Sequence, residues 1–190
     1  MRLSRKLAED IYRDKRLEGK RTLLRPLERD DLQRSLLWLT DPMVNKYLSQ
    51  NFKGLTEERE EKWFQYIQDS EQDIVFAILE KDTGLHIGNC GLNKIDHRRG
   101  NCQLGIVVGK TDYWNRGFGS DAVDTLVRFA VDDLDIPAVR LDVYIYNHRA
   151  IKVYKKCGFK LVTVLKRNHL YDGKYWDTLV MEYDSKIFAG

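Results

Sequence analysis

Apolar residues along the chain follow two spacings in turn, and each change of spacing marks an element. Thr22, Leu23 and Leu24 lie in a stretch, Leu17 to Leu27, that reads as a first strand ending at Pro26. After Asp30 and Asp31 the apolar positions (Leu32, Leu36, Leu37, Leu39) take a helical spacing, with the two acids where the positive end of the helix dipole favours them. Asp41-Pro42 breaks that helix and opens a short one carrying Val44, Tyr47 and Leu48. Thr56 opens a third, with Trp63, Phe64, Tyr66 and Ile67 on its buried side.

From Ile74 the period falls to two. Ile74–Leu79 and Leu85–Ile95 flank a Lys81-Asp82-Thr83-Gly84 turn, and the polar connection 96–100 leads to Leu104–Val108, an apolar run suited to a strand covered on both faces. Ser120–Leu134 is helical, Val139–Tyr146 alternates as a strand, and Asn147–Cys157 is a helix closed by Gly158 in the left-handed region. Leu161–Lys166 and Trp176–Tyr183 are the last strands, flanking a tight Asp172-Gly173 turn. The pattern predicts an α/β fold: a mixed, mostly antiparallel sheet of about seven strands with helices on both faces.

At 190 residues the chain suits one domain, and 43% hydrophobic with 32% charged residues is a globular balance. We divide it into a charged extension, residues 1–16, with a weak stripe of Leu3, Leu7, Ile11 and Tyr12, and a single domain, residues 17–190. A net charge of +3 gives no ground for a nucleic-acid partner. No apolar run approaches the length of a membrane helix, and the charged N-terminus lacks the core of a secretory signal; a cytoplasmic location is expected. Cys90, Cys102 and Cys157 include no CxxC, so neither a disulfide framework nor a metal site is expected.

Two segments carry candidate chemistry. In the first, the Leu104–Val108 strand runs into Asn115-Arg116-Gly117-Phe118-Gly119 and a helix begins at once. Glycines there let the backbone turn tightly, and a helix N-terminus offers unpaired N–H groups and partial positive charge to phosphate oxygens. The spacing matches neither GxxxxGK[ST] nor GxGxxG, and a plain strand-to-helix turn explains it equally well. In the second, Asn147, Ala150, Tyr154 and Gly158-Phe159 surround a short helix after another strand. Asn147 suits an N-cap or a polar contact to a ligand amide, and Tyr154 falls about two turns later on nearly the same face, where a core tyrosine with a satisfied hydroxyl is the plainer reading.

Together these segments resemble the GNAT superfamily, the Gcn5-related N-acetyltransferases, and within it the RimJ/RimL-like branch that acts on ribosomal proteins and polyamines. The family's Q/R-x-x-G-x-G/A signature falls on Trp114 to Gly119, with Trp114 at the first position. RPLERDDL, WLTDPMVNKYL, IGNCGLNKID, NHRAIKVYKKCGF and DGKYWDTLVMEY extend the similarity over roughly residues 17–183. The resemblance implies a sheet whose central strands splay, with acetyl-CoA as co-substrate and no metal. It implies that Ile106, Val107 and Val108 meet the pantetheine arm through main chain, that the amides of Arg116, Gly117, Phe118, Gly119 and Ser120 hold the pyrophosphate, and that Asn147 also binds the cofactor. Lys152, Lys155 and Lys156 suit either contact with the nucleotide phosphates or, each singly, a solvated basic face. The implied reaction is direct attack of a primary amine on the thioester, with Tyr154 protonating the departing sulfur. The acceptor is a protein or peptide N-terminus, a polyamine, an aminoglycoside or an amino sugar, and a homodimer is the implied assembly.

The branch often has Glu where Gln103 stands, and an amide cannot take a proton. Asp96, His97 and His169 are the candidate bases by residue type, while Cys90 and Cys102 read as small buried hydrophobes. Asn89, Asn93, Tyr171 and Tyr175 are expected to line the acceptor site, together with Trp176. The acidic run from Glu57 to Asp73 suits basic acceptors or simply a solvated helix face. Gln103 also keeps open a different class of function, a non-catalytic acyl-CoA-binding regulator.

Overall fold

The structure, a computed structural model, describes residues 15–48 and 52–185, so the stripe from Leu3 to Tyr12 lies outside the described residues. Among the described residues, eight strands form one sheet in the order β1-β2-β3-β4-β5-β6-β8-β7. The strands are β1 (Leu17–Glu18), β2 (Thr22–Pro26), β3 (Ile74–Glu80), β4 (His86–Asp96), β5 (Asn101–Val108), β6 (Ala138–Tyr144), β7 (Lys160–Tyr171) and β8 (Lys174–Asp184). The helices are α1 (Leu32–Thr40), α2 (Pro42–Asn45), α3 (Glu57–Asp69), α4 (Phe118–Arg128) and α5 (His148–Lys156). Eight strands replace the expected seven because the first stretch divides: Leu17 pairs with Leu24 across a turn at Gly19. The final hairpin is also longer than its apolar run, since β7 continues to Tyr171 past a register shift, with Arg167 at φ 49°. The helix predicted to reach Leu134 leaves regular geometry earlier, widening at Phe129–Asp133 into a π turn.

The sheet separates two cores. On one face Phe118, Val123, Leu126, Leu141, Val143, Tyr154 and Met181 gather α4 and α5 against the strands. On the other, Leu32, Phe64 and Ile67 cover Val75, Ala77 and Leu79. α1 is fixed there by a buried polar knot. Asp31 takes both Nη atoms of Arg25 at 2.6 and 2.9 Å, Arg34 Nη2 at 2.8 Å and the Glu28 N–H at 2.9 Å, with His86 Nδ1 3.1 Å away. Burial pushes the Asp31 carboxyl pKa up, but the contacts with His86, Arg25 and the Glu28 amide outweigh it and hold the group well below the usual carboxylate range. Among the described residues no helix is long and apolar enough to cross a membrane.

Every neighbouring pair of strands is antiparallel except β5 and β6. That parallel pair is short. It joins Asn101 to Ala138, Cys102 to Val139 and Gln103 to Arg140, and then ends. β5 continues to Val108 on its β4 partner, while β6 continues to Tyr144 on β8. The sheet therefore forks after Gln103, leaving one edge of Leu104–Val108 without a ladder partner. Backbone N–H and C=O groups left so require another partner.

Candidate active site

The loop beyond the open edge turns back through Asn115 (φ 60°) and Gly117 (φ 90°), two residues in the left-handed region. Gly117 is the N-cap of α4, and no side chain caps that helix. The first intrahelical bond runs from the Asp121 N–H to Gly117 O, so the amides of Phe118, Gly119 and Ser120 have no partner within the helix. Asp121, the acid of the first turn, is turned elsewhere: it accepts from the N–H groups of Lys20, Arg21 and Thr22 and from the Thr22 hydroxyl. It ties α4 to the β1–β2 turn and leaves the helix end facing solvent. Arg116 stands exposed on this loop, its guanidinium over the rings of Tyr113 and Phe118 at 5.1 and 5.6 Å. Amides with partial positive charge and one full cation thus sit where the fork opens, an arrangement suited to a diphosphate.

The family model for the acetyltransferase (GNAT) domain matches residues 21–160, spanning the fork, the loop and α5. The chain belongs to the GNAT family. It is 28% identical over 178 residues to the uncharacterized N-acetyltransferase p20 of Bacillus licheniformis, covering 92% of this chain and 98% of that protein. Its fold matches the spermidine N-acetyltransferase of Vibrio cholerae solved with CoA and spermine: TM-score 0.82 and 18% identity, over 90% of this chain and 100% of that one. It also matches a structure named for a ribosomal-protein-serine acetyltransferase from Vibrio cholerae, with TM-score 0.73 and 17% identity over 90% and 98% of the two chains. The protein is accordingly an acyltransferase of the GNAT type, with N-acetyltransferases among its relatives.

The expected cofactor residues lie on three elements of this GNAT fold. Ile106, Val107 and Val108 lie on the open edge, and Gly117 to Ser120 form the turn and first residues of α4. The Phe118 ring is buried in the core, which leaves only its amide on the loop side. Ser120 donates its hydroxyl to Gly117 O at 2.9 Å, which stiffens the turn. Asn147 caps α5 by accepting from the Ala150 N–H at 3.2 Å. Tyr154 is buried, with its ring against Phe159, and burial pushes its hydroxyl pKa up. Lys152, Lys155 and Lys156 are exposed on α5.

The expected acceptor residues divide. Asn93 faces the fork beside Gly105. Asn89 is held inside, its amide donating to Ser35 Oγ at 2.8 Å and its oxygen 2.8 Å from His86 Nε2. Tyr171 joins an aromatic wall with Tyr146 (5.5 Å), which also meets Trp176 edge-on at 5.1 Å. Tyr175 does not join it; it lies exposed under Arg167. Of the candidate bases, Asp96 accepts from the Arg98 and Arg99 amides in its own turn, and His97 is exposed in that turn. His169 stacks on Tyr144 at 3.7 Å, and burial lowers its pKa, favouring the neutral ring. Burial also raises the thiol of Cys90, and that of Cys102 to about 12, as expected of inert core cysteines. Among the described residues no cluster of His, Cys, Asp and Glu is placed to hold a metal ion.

Sequence reasoning missed the two aromatic tethers at the mouth. Tyr144 and Tyr146 donate to Leu48 O (3.4 Å) and Lys46 O (2.7 Å), closing β6 onto the segment after α2. The signal was present: Arg140, Asp142 and Tyr144 occupy the alternate positions of β6 that the core does not use.

Proposed function

We propose that this GNAT protein transfers an acetyl group from acetyl-CoA to a primary amine by direct attack. The observation that carries the reading is the fork itself: β5 and β6 pair at three positions and part, and the open edge leads to the uncapped start of α4. An extended pantetheine arm would satisfy the open edge of β5 as an added strand, with its amides bonding main chain short of Val108 O, which already accepts from the Trp114 indole. The diphosphate would rest on the amides of Gly117 to Ser120, beside Arg116. Asn147 spends its side-chain oxygen on the α5 cap, leaving its amide nitrogen for the arm. A fold neighbour that binds CoA and spermine supports both halves of the reading.

Tyr154 is the general acid. A tyrosine hydroxyl is protonated at neutral pH even at its ordinary pKa of about 10, the state needed to donate to a departing thiolate. The acceptor class comprises protein or peptide N-termini, polyamines, aminoglycosides and amino sugars. The test is CoA-thiol release with spermidine, an aminoglycoside, an amino sugar and a peptide beginning with Ala or Ser. Amine-dependent release is expected with at least one. CoA binding without release for any would favour a regulatory acyl-CoA-binding protein.

A further inference from the structure

We infer that Asp142 seats the acceptor amine at the apex of the fork, and that Gly105 keeps the place above it open. This rests on the transferase reading and adds the residue that receives the amine.

The strands put these positions on one face. Cys102, Leu104 and Ile106 of β5 and Val139, Leu141 and Val143 of β6 belong to the α4-side core. Gln103, Gly105, Asp142 and Tyr144 therefore face the other way, toward the aromatic wall. The parallel ladder ends at Gln103 and Arg140, so Asp142 is the first carboxylate on β6 past the parting. The Gln103 amide reaches across to its Oδ2 at 3.5 Å, the long limit of a hydrogen bond. Nearby acids have cationic partners: Glu182 holds Arg140, and Asp177 holds Lys166. Asp142 is exposed and forms no ion pair among the described residues.

Gly105 is the second observation. Its φ is not positive, and a Cβ there would meet only Asn93 Nδ2, at an ordinary 3.5 Å. Neither backbone conformation nor packing calls for glycine, although glycine inside a strand carries an entropic cost. Its partner across the ladder differs: a Cβ on Gly91 would lie 2.4 Å from Ile74 O. Gly91 is explained by packing, whereas the space over Gly105 is explained by what must enter it.

The chemistry fits the place. An ammonium has N–H donors and needs an oxygen acceptor, and its nitrogen must shed a proton during transfer. Gln103 can accept a hydrogen bond but no proton; Asp142, on the next strand, can take one. The ammonium first loses one proton to solvent; the lone pair of the neutral amine then attacks the thioester carbonyl carbon, and Asp142 takes a second proton from nitrogen as the N–C bond forms. The C–S bond breaks, the sulfur takes the proton from Tyr154, and both side chains are restored through solvent. The products are an N-acetylated amine and CoA thiol.

The experiment compares the wild type with Asp142→Asn, Gly105→Ala and the double variant Asp142→Asn/Gln103→Glu, using whichever of the four amines above supports turnover. Asp142→Asn should lower kcat/KM for the amine at least 30-fold, with CoA affinity within twofold and an unchanged Tm. Restoring a carboxylate at position 103 should recover at least fivefold of that loss. Gly105→Ala should fold with Tm at or above the wild type, bind CoA within twofold and lose at least tenfold in kcat/KM. An active wild type matched by Asp142→Asn overturns the seat alone, as does an Asp142→Asn variant that loses CoA binding or Tm. A double variant without recovery removes the proton-taking role. A wild type inactive with all four amines strikes the transferase reading, and the seat with it.

Discussion

The guanidinium of Arg149 lies 3.5 Å from the centroid of the Trp114 ring, while the indole N–H of Trp114 donates to Val108 O at 2.6 Å. Arg149 sits in the first turn of α5, following β6, and Val108 ends β5. The two arms of the fork are thus joined at their open ends by a cation stacked on a ring. Trp114 stands at the first position of the family signature, and the cation on its ring comes from the opposite arm.

Burial lowers the Arg149 pKa, so the stack is partly withdrawn from water, where cation–π pairs are worth about 1–2 kcal/mol. A double-mutant cycle on Trp114→Ala and Arg149→Ala, followed by urea unfolding, should give a coupling energy in that range. A coupling near zero would make the stack incidental.

Tyr154→Phe removes the hydroxyl and keeps the ring against Phe159, so CoA affinity should hold within twofold. The predicted loss is in kcat, by about 10-fold or more, because general-acid assistance acts on the chemical step. Steady-state kinetics with a separate CoA titration check this, and an unchanged kcat takes Tyr154 out of the mechanism.

Glu60 of α3 is buried, and its Oε1 has no hydrogen-bond partner. Burial raises its pKa to about 7. The folded chain then binds this proton more tightly than the unfolded chain, so stability falls as pH rises from about 4.5 to 7, by an amount on the order of 3 kcal/mol. Glu60→Gln removes the titration while keeping the shape of the neutral acid. Thermal melts should show a higher Tm than the wild type at pH 8 and no gain at pH 4.5. Equal gains at both would refute the assignment.

Much of this architecture was legible from periodicity, because an amphipathic helix such as α4 and a hairpin such as β3–β4 bury one face with a local repeat. The Gly117 turn and the Asn147 cap were readable for the same reason: the backbone there has needs that few residues meet. The fork was not readable in this way. Where Gln103 ceases to pair with Arg140 depends on the register of strands separated by a helix, and nothing local encodes it. Asn89 has the parity of a pocket residue, but the buried pair of His86 and Ser35 claims its amide. Asp142 shows the opposite case, a polar residue on a non-core position of β6 whose meaning came only with its neighbour across the parting. The length of β7 was hidden because Lys166, Arg167 and Asn168 interrupt its apolar pattern without ending its pairing.

Amide hydrogen exchange with and without CoA addresses the fork most directly. The account predicts that saturating CoA slows exchange in Leu104–Val108 and in Gly117–Ser120 together, and leaves the β2–β3 ladder unchanged. Protection confined to other segments, or CoA binding that leaves both of these as fast as in the free protein, would contradict it.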